Sequence, residues 1–237
     1  MKNRTQKIFF FDVGNTLVEK PSNHIDNKLV RDILSLRENG NIIGLATMRN
    51  LAMLDEILSQ IQFDFIITLN GAYVECKKEI LIDTPINRNE LSQILNAFVF
   101  LNIDYNIYSK YYIHKSIIPN EQYYGIEIKE CYNEVNNLQK VFNSFVFHIW
   151  EKGKNCDVHS LDISKCKGML EVCKYFDIPL KNSIVFGDGY NDIEMFKKCG
   201  KSIAMGSAPK ELKEIASFIT KSVSENGVSW ALKHFQL

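Results

Sequence analysis

The sequence predicts an α/β protein: a parallel sheet core covered by helices, with an α+β segment inserted into it. Three observations carry this. From Ile8 to Thr68 short apolar runs alternate with amphipathic stretches, the pattern of parallel strands joined by crossover helices. Near Asp83 the alternation gives way to hairpin-like segments, and from Ser164 it returns. The expected division is a core of residues 1–83 plus 162–237 and an inserted domain of residues 84–161.

Ile8-Phe9-Phe10-Phe11 has no polar break, as suits a strand buried on both faces. It stops at Asp12, followed by Gly14, Asn15 and Thr16. A carboxylate at the carboxyl end of such a strand is where open α/β sheets place their chemistry. The simpler alternative is that Asp12 caps a turn. Asn27 to Asn39 spaces Leu29, Ile33, Leu34 and Leu36 as a helix does, with Asp26 as N-cap and Gly40 as stop. Ile42 to Ala46 reads as a second buried strand ending at Thr47. Asn50 to Gln62 is expected as an amphipathic helix, and Phe63 to Thr68 as a third strand before the turn pair Asn70-Gly71. Tyr73 to Ile82 is expected as a hairpin with Lys77-Lys78 at its tip.

In the inserted segment, Pro85 and Asn87 open a helix that runs to about Leu101. Ile103 to Tyr108 and Tyr111 to Lys115 alternate around a turn at Ser109-Lys110. Glu134 to Phe142 reads as a helix, and Phe145 to Trp150 pairs with Cys156 to Leu161 around Gly153. Lys165 to Phe176 is the next helix, and Ser183 to Phe186 is a fourth buried strand running into Gly187-Asp188. Ile193 to Lys198 is a short helix, Ser202 to Met205 a fifth strand, and Lys210 to Ser217 a helix. Ile219-Thr220 and Val228 to Phe235 close the pattern as a short strand and a helix.

The 28 basic and 28 acidic residues cancel, so no electrostatic footprint for nucleic acid is expected. No apolar run reaches the length of a membrane span, and the stretch before Ile8 leaves no room there for a signal peptide. The expectation is a cytoplasmic protein with no membrane partner; the sequence leaves oligomeric state open. Cysteines at 76, 131, 156, 166, 173 and 199 form no C-x-x-C pair and no zinc-type cluster. They read as buried free thiols.

In a parallel sheet the carboxyl ends of the strands share one edge. Asp12, Thr47, Asn70, Asp188 and the nearby Asn191-Asp192 then gather there. Three carboxylates repel one another unless a cation neutralises them, and a site of carboxylates and water suits Mg2+. Lys165, at the start of a helix, adds a positive charge. Such a set describes a phosphoryl site: metal and lysine balance charge, Thr47 and backbone N–H groups bind oxygens, and a carboxylate can attack phosphorus.

Four segments hold these residues: Phe11-Asp12-Val13-Gly14-Asn15-Thr16-Leu17, Ala46-Thr47-Met48-Arg49, Ser164-Lys165 and Gly187-Asp188-Gly189-Tyr190-Asn191-Asp192. In order and spacing the segments resemble the four motifs of the haloacid dehalogenase (HAD) superfamily. Asn70-Gly71-Ala72, Ala204-Met205-Gly206-Ser207-Ala208 and Asn226-Gly227-Val228 are similar to signatures of its Cof-type, sugar-phosphatase-like branch. The resemblance covers nearly the whole chain. It implies a HAD-like Rossmannoid core with an α+β cap between the second and third motifs. It also implies a Mg2+-dependent phosphohydrolase acting on a small phosphorylated metabolite. By the same resemblance Asp12 is the nucleophile that forms an aspartyl-phosphate. Asp12, the Gly14 carbonyl and Asp188 hold Mg2+, with Asn191 or Asp192 helping. Thr47 binds phosphate, and Lys165 steadies the nucleophile and the transferred group. Thr16, Met48, Arg49, Asn70 and Asn191 complete the implied substrate-binding set.

The first motif departs from the family pattern. Phosphatases of this family read Asp-x-Asp, the second Asp serving as general acid and base, and here that position is Gly14. Such help is typically worth about 10²–10⁴ in rate. Asn15 stands where glycine is common, and Met48 where glycine usually follows the threonine. Relatives without the acid include phosphonatases and metal-free dehalogenases. The complete acidic fourth motif fits a metal, and no lysine of the inserted segment stands out for a Schiff base. Two alternatives stay open: a phosphate-ligand binder with weak or no turnover, and a phosphotransferase or phosphomutase. His114, His148 and His159 are candidates to replace the acid, although a lone strand histidine is more often structural. Tyr105, Tyr108, Tyr111, Tyr112, Tyr123 and Tyr124 read first as packing for a small sheet and second as a sugar or base contact.

Overall fold

The computed structural model describes residues 6–19, 22–129, 135–150 and 155–236. The chain runs β1 (Ile8–Phe11), α1 (Asn27–Glu38), β2 (Ile42–Ala46), α2 (Asp55–Gln60), β3 (Phe65–Thr68), β4 (Tyr73–Cys76) and β5 (Glu79–Asp83). It continues through α3 (Arg88–Phe100), β6 (Tyr105–Tyr108), β7 (Ile113–His114), β8 (Gly125–Lys129), α4 (Val135–Val141), β9 (Phe145–Trp150) and β10 (Asn155–Ser160). The last part is α5 (Lys165–Tyr175), β11 (Ser183–Gly187), α6 (Ile193–Lys198), β12 (Lys201–Ala204), α7 (Lys210–Ile215), β13 (Phe218–Ile219) and α8 (Gly227–His234).

The first sheet has eight strands in the order β13-β12-β11-β1-β2-β3-β4-β5. The strands from β13 to β3 are parallel. Successive strand residues point to opposite faces, and both faces of β1 are covered. Phe9 and Phe11 pack with Leu29, Ile33, Val228 and Leu232 of α1 and α8. Ile8 and Phe10 pack with Met169, Val172, Met195 and Phe196 of α5 and α6. That is why the strand tolerates no polar residue before Asp12.

One edge of this sheet is antiparallel. Leu69, Asn70 and Gly71 all have positive φ and reverse the chain between β3 and β4. So short a reversal can only yield an antiparallel pair, and β4 and β5 extend the sheet that way. Lys77 and Lys78, also at positive φ, form the expected hairpin tip.

The second sheet is β7-β6-β8-β10-β9, antiparallel throughout. Leu91, Ile94 and Phe98 of α3 and Leu138 of α4 cover one face, against Ile107, Ile126, Ile128, Cys156 and Val158. The sequence reading did not contain β8. This strand has no hairpin partner next to it in sequence and pairs with the distant β6 and β10. Glu134, Gly153 and Cys131 lie outside the described residues.

The helix expected from Asn50 to Gln62 is divided into a 3-10 turn, Leu51–Leu54, and α2. Long-range bonds explain the division. Asn50 is fully buried; its carbonyl oxygen caps Met53 N, and its amide donates to the carbonyls of Ser109 (3.1 Å) and Tyr112 (3.2 Å). Leu51 N also donates to Lys110 O. The first turn is thus tied to the hairpin of the second sheet. Asp83 adds a second tie, accepting from Lys110 Nζ at 2.5 Å and from Tyr124 OH at 2.7 Å.

Among the described residues no helix is long and apolar enough to cross a membrane. Replacing Asn50 by alanine should cost about 1–3 kcal/mol, because buried partners then lose their hydrogen bonds. Denaturant titration checks this, and an unchanged midpoint would contradict the clasp.

Candidate active site

The carboxyl ends of three parallel strands set the site. Asp12 follows β1, and its amide donates to Phe186 O, extending the ladder with β11. Thr47 follows β2, with its amide on Ile67 O. Asp188 follows β11. Ser164 caps α5 by accepting from Lys167 N, which places Lys165 in the first turn, pointing back into the cluster.

The Lys165 side chain is completely buried. Its ammonium donates to Asp12 Oδ1 at 2.7 Å and to Asp192 Oδ1 at 2.8 Å. The other oxygen of Asp192 accepts from the amides of Asp188 and Gly189, at 3.1 and 3.0 Å. Two glycines permit this closeness. A Cβ on Gly187 would lie 2.4 Å from Asp192 Oδ2, and one on Gly71 (φ +97°) 2.2 Å from the Ser164 carbonyl.

Asp12, Asp188 and Asp192 each offer a carboxylate oxygen within 4.8 Å of the others. Burial, then the charges of Asp12 and Asp192, push the Asp188 carboxyl well above its ordinary range, against Asn15 and Lys165. Burial also raises Asp192, opposed by Lys165. Burial pulls Lys165 down, but Asp12 and Asp192 outweigh it and hold the ammonium above the ordinary lysine range. Three carboxylates against one ammonium leave negative charge uncompensated. An oxygen-only donor set with that deficit fits a hard divalent cation. Among the described residues no protein donor engages the second oxygen of Asp12, and Asp188 meets only one side-chain donor.

The remaining expected residues divide. Asn191 Nδ2 donates to Asn70 Oδ1 at 2.9 Å, joining the fourth motif to the β3–β4 turn. Thr47 Oγ1 accepts from Arg49 N, which leaves its own proton to donate. Arg49 is half-buried; its guanidinium donates to Asn23 Oδ1 at 2.6 Å and feels the charge of Asp12. Met48 and Asn70 line a small cavity with Asp157 and His159 of β10. Gly14 sits in the turn after Asp12, bridged to Val18, and brings no side chain. Thr16 lines a different cleft, with His24, Asn226 and Val228.

Of the three histidines, His159 lines that small cavity. Its Nδ1 lies 2.8 Å from Ser160 O, and its ring is 5.0 Å from that of His148. Burial lowers both, His148 to about 4. His114 instead packs edge-on against Tyr123. Tyr105, Tyr108, Tyr123 and Tyr124 pack the second sheet and its junction, whereas Tyr111 and Tyr112 are exposed. The sequence assigns no role to Asn15, Asn23, Asn106, Glu127 or Asp157; the last three form a cross-strand row with His148, which it does single out. The only signal for Asn15 was its place in a glycine position.

Lys165→Met leaves buried carboxylates without their counter-charge. It should destabilise the protein by about 3–5 kcal/mol, with Mg2+ recovering part of the loss; equal stability of variant and wild type would contradict the account. A pH effect follows as well. The raised Asp188 carboxyl binds a proton in the folded state that the unfolded chain has already released. Metal-free stability should therefore fall as pH rises from the ordinary carboxylate range through the folded Asp188 value. Saturating Mg2+ should flatten that slope, and a pH-independent midpoint in chelator would refute it.

Comparison with known proteins agrees with this geometry. A family model described as haloacid dehalogenase-like hydrolase matches residues 9–150 and 112–232. YkrA of Bacillus subtilis (strain 168) is 26% identical over 255 residues, covering 98% of this chain and 98% of that protein. The 5-amino-6-(5-phospho-D-ribitylamino)uracil phosphatase YcsE of the same strain is 25% identical over 247 residues, covering 98% and 96%. The solved structure of BT4131, a HAD subclass IIB sugar phosphatase, superposes with a TM-score of 0.86 at 26% identity, covering 98% of this chain and 99% of that one. Motif order, sheet topology and these matches converge: the chain belongs to the haloacid dehalogenase-like hydrolase family.

Proposed function

We propose that the protein is a cytoplasmic, Mg2+-dependent phosphohydrolase of a small phosphorylated metabolite, working through an aspartyl-phosphate on Asp12. The observation that carries this reading is the buried Lys165 ammonium, bridging Asp12 and Asp192 beside Asp188. Asp12, Asp188 and the Gly14 carbonyl would hold the cation, with Asp192 in support. When bound, Mg2+ supplies positive charge that stabilises the transferring phosphoryl group. Among the described residues the five cysteines are free thiols, as a reducing compartment allows.

Lys165 holds Asp12 Oδ1, which leaves Oδ2 to attack phosphorus. The bond from phosphorus to the leaving oxygen breaks, and the phosphoryl group passes to Asp12. The Thr47 hydroxyl and Lys165 bind its other oxygens. In the second step water attacks phosphorus and Asp12 is released as carboxylate. Gly14 can neither protonate the leaving oxygen nor deprotonate the water. His159, which lines the cavity shared with Met48 and Asn70, is the candidate for half of that task. The Ser160 carbonyl 2.8 Å from Nδ1 requires the proton there, so Nε2 carries the lone pair. A neutral His159 accepts a proton from water but does not donate one to a leaving group. First-step protonation then falls to solvent or substrate, and turnover of generic esters is slow.

We take residues 84–161 as the cap that reads the leaving group. The row Asn106, Glu127, Asp157 and His148 offers donors and acceptors to a polar one. The named activities of YcsE and BT4131 support a hydroxyl-rich phosphate ester. Gly14 also favours a second reading, a phosphate-ligand binder or a transferase to an acceptor other than water.

Phosphate release from p-nitrophenyl phosphate and a panel of small phosphorylated metabolites tests the proposal. The wild type should turn over slowly, Asp12→Asn should fall to background, and Gly14→Asp should raise the rate by up to about 10². Equal rates for wild type and Asp12→Asn would remove the hydrolase reading. Metabolite-induced thermal stabilisation without turnover would select the binder.

A further inference from the structure

We propose that Asn15 is a positioning residue for the divalent-cation site: its side-chain amide orients the carboxylate of Asp188 to receive the metal. This rests on the Mg2+ reading of the site given above.

The contact joins residues 173 positions apart. Asn15 Nδ2 donates to Asp188 Oδ2 at 3.2 Å. As a metal-binding carboxylate Asp188 only accepts, so the amide nitrogen is the end of Asn15 that serves it. Among the described residues this is the only side-chain donor on Asp188. Its neighbours are held otherwise: Lys165 grips both Asp12 and Asp192, and two backbone amides hold the second oxygen of Asp192. Asp188 is therefore the one carboxylate of the three whose orientation depends on a neutral side chain.

The backbone shows that this side chain is kept at a cost. Asn15 has φ +55°, a region that glycine enters freely and other residues rarely adopt, asparagine among the more tolerant. A glycine would satisfy the turn without strain. The turn itself is rigid. Asn15 N donates to Val18 O at 2.7 Å, and the amides of Leu17 and Val18 both donate to Val13 O. The amide is thus delivered to Asp188 from a fixed frame rather than a mobile loop.

The choice of a neutral donor matters. An ammonium in that place would compete with the cation by charge, whereas an amide fixes the rotamer and leaves the carboxylate charge for the metal. Engaging Oδ2 also leaves Oδ1 as the open ligand atom. Partners of this kind around metal ligands are typically worth about 10–100-fold in metal affinity. The Gly14-Asn15 pair then has a single sense: the loop contributes no proton carrier, and its side chain, one residue later, serves the metal.

The test is Mg2+ titration of the purified protein by calorimetry, with metal-free melting temperatures measured in parallel. Asn15→Gly removes the donor and relieves the backbone, so Mg2+ affinity should fall about 10–100-fold while the metal-free melting temperature holds or rises. Asn15→Ala removes the donor and keeps the strain, so it should lose the same affinity and melt lower. Wild-type affinity in both variants overturns the role of Asn15 and leaves the Mg2+ reading standing. No Mg2+ binding to the wild type removes both.

Discussion

Everything at the working edge of this protein depends on one buried ammonium. Lys165 has no access to solvent and sits between two carboxylates on different loops. Taking these charges out of water is expensive, and their mutual attraction repays it only with good geometry and saturated hydrogen bonds. The fold supplies both. The cap on α5 aims the lysine, the ladder between β1 and β11 fixes Asp12, and backbone amides saturate Asp192. Gly71 and Gly187 are there because a Cβ at either position would strike this assembly. A lysine so held fixes one oxygen of Asp12 and, among the described residues, leaves the other without a protein donor.

The second sheet is tied to that edge. Asn50, three residues beyond Thr47, is buried against the β6–β7 turn, and Asp83 grips Lys110 and Tyr124. The sheet face opposite α3 and α4 carries Asn106, Glu127, Asp157 and His148 across four strands, and His159 nearby lines the cavity shared with Met48 and Asn70. The ends of β2 and β3 and the polar face of the second sheet thus meet at one cavity, which Met48 and Asn70 line together with Asp157 and His159.

Much of this was legible in the sequence, because parallel sheets obey a strong rule. Unbroken apolar runs mark strands buried on both faces, and their carboxyl ends share an edge. Asp12, Thr47, Asn70, Asp188 and Asp192 could be gathered from positions far apart on that basis. What escaped the reading was decided by long-range partners. β8 has only distant pairing strands, and Asn50 breaks a well-patterned helix because its amide is used elsewhere. Thr16 belongs to the first motif in sequence and also lines a second cleft, with His24, Asn226 and Val228. Asn15 could be noticed as unusual, but the identity of its partner, more than a hundred residues away, carries no local signal.

The most direct measurement is a crystal structure grown with Mg2+ and beryllofluoride, a mimic of a carboxylate-bound phosphoryl group. The account predicts one Mg2+ between Asp12 and Asp188, beryllium attached to the Asp12 oxygen that Lys165 does not hold, and Thr47 on a fluoride. Beryllofluoride bound away from Asp12, or Mg2+ held by neither aspartate, would contradict it.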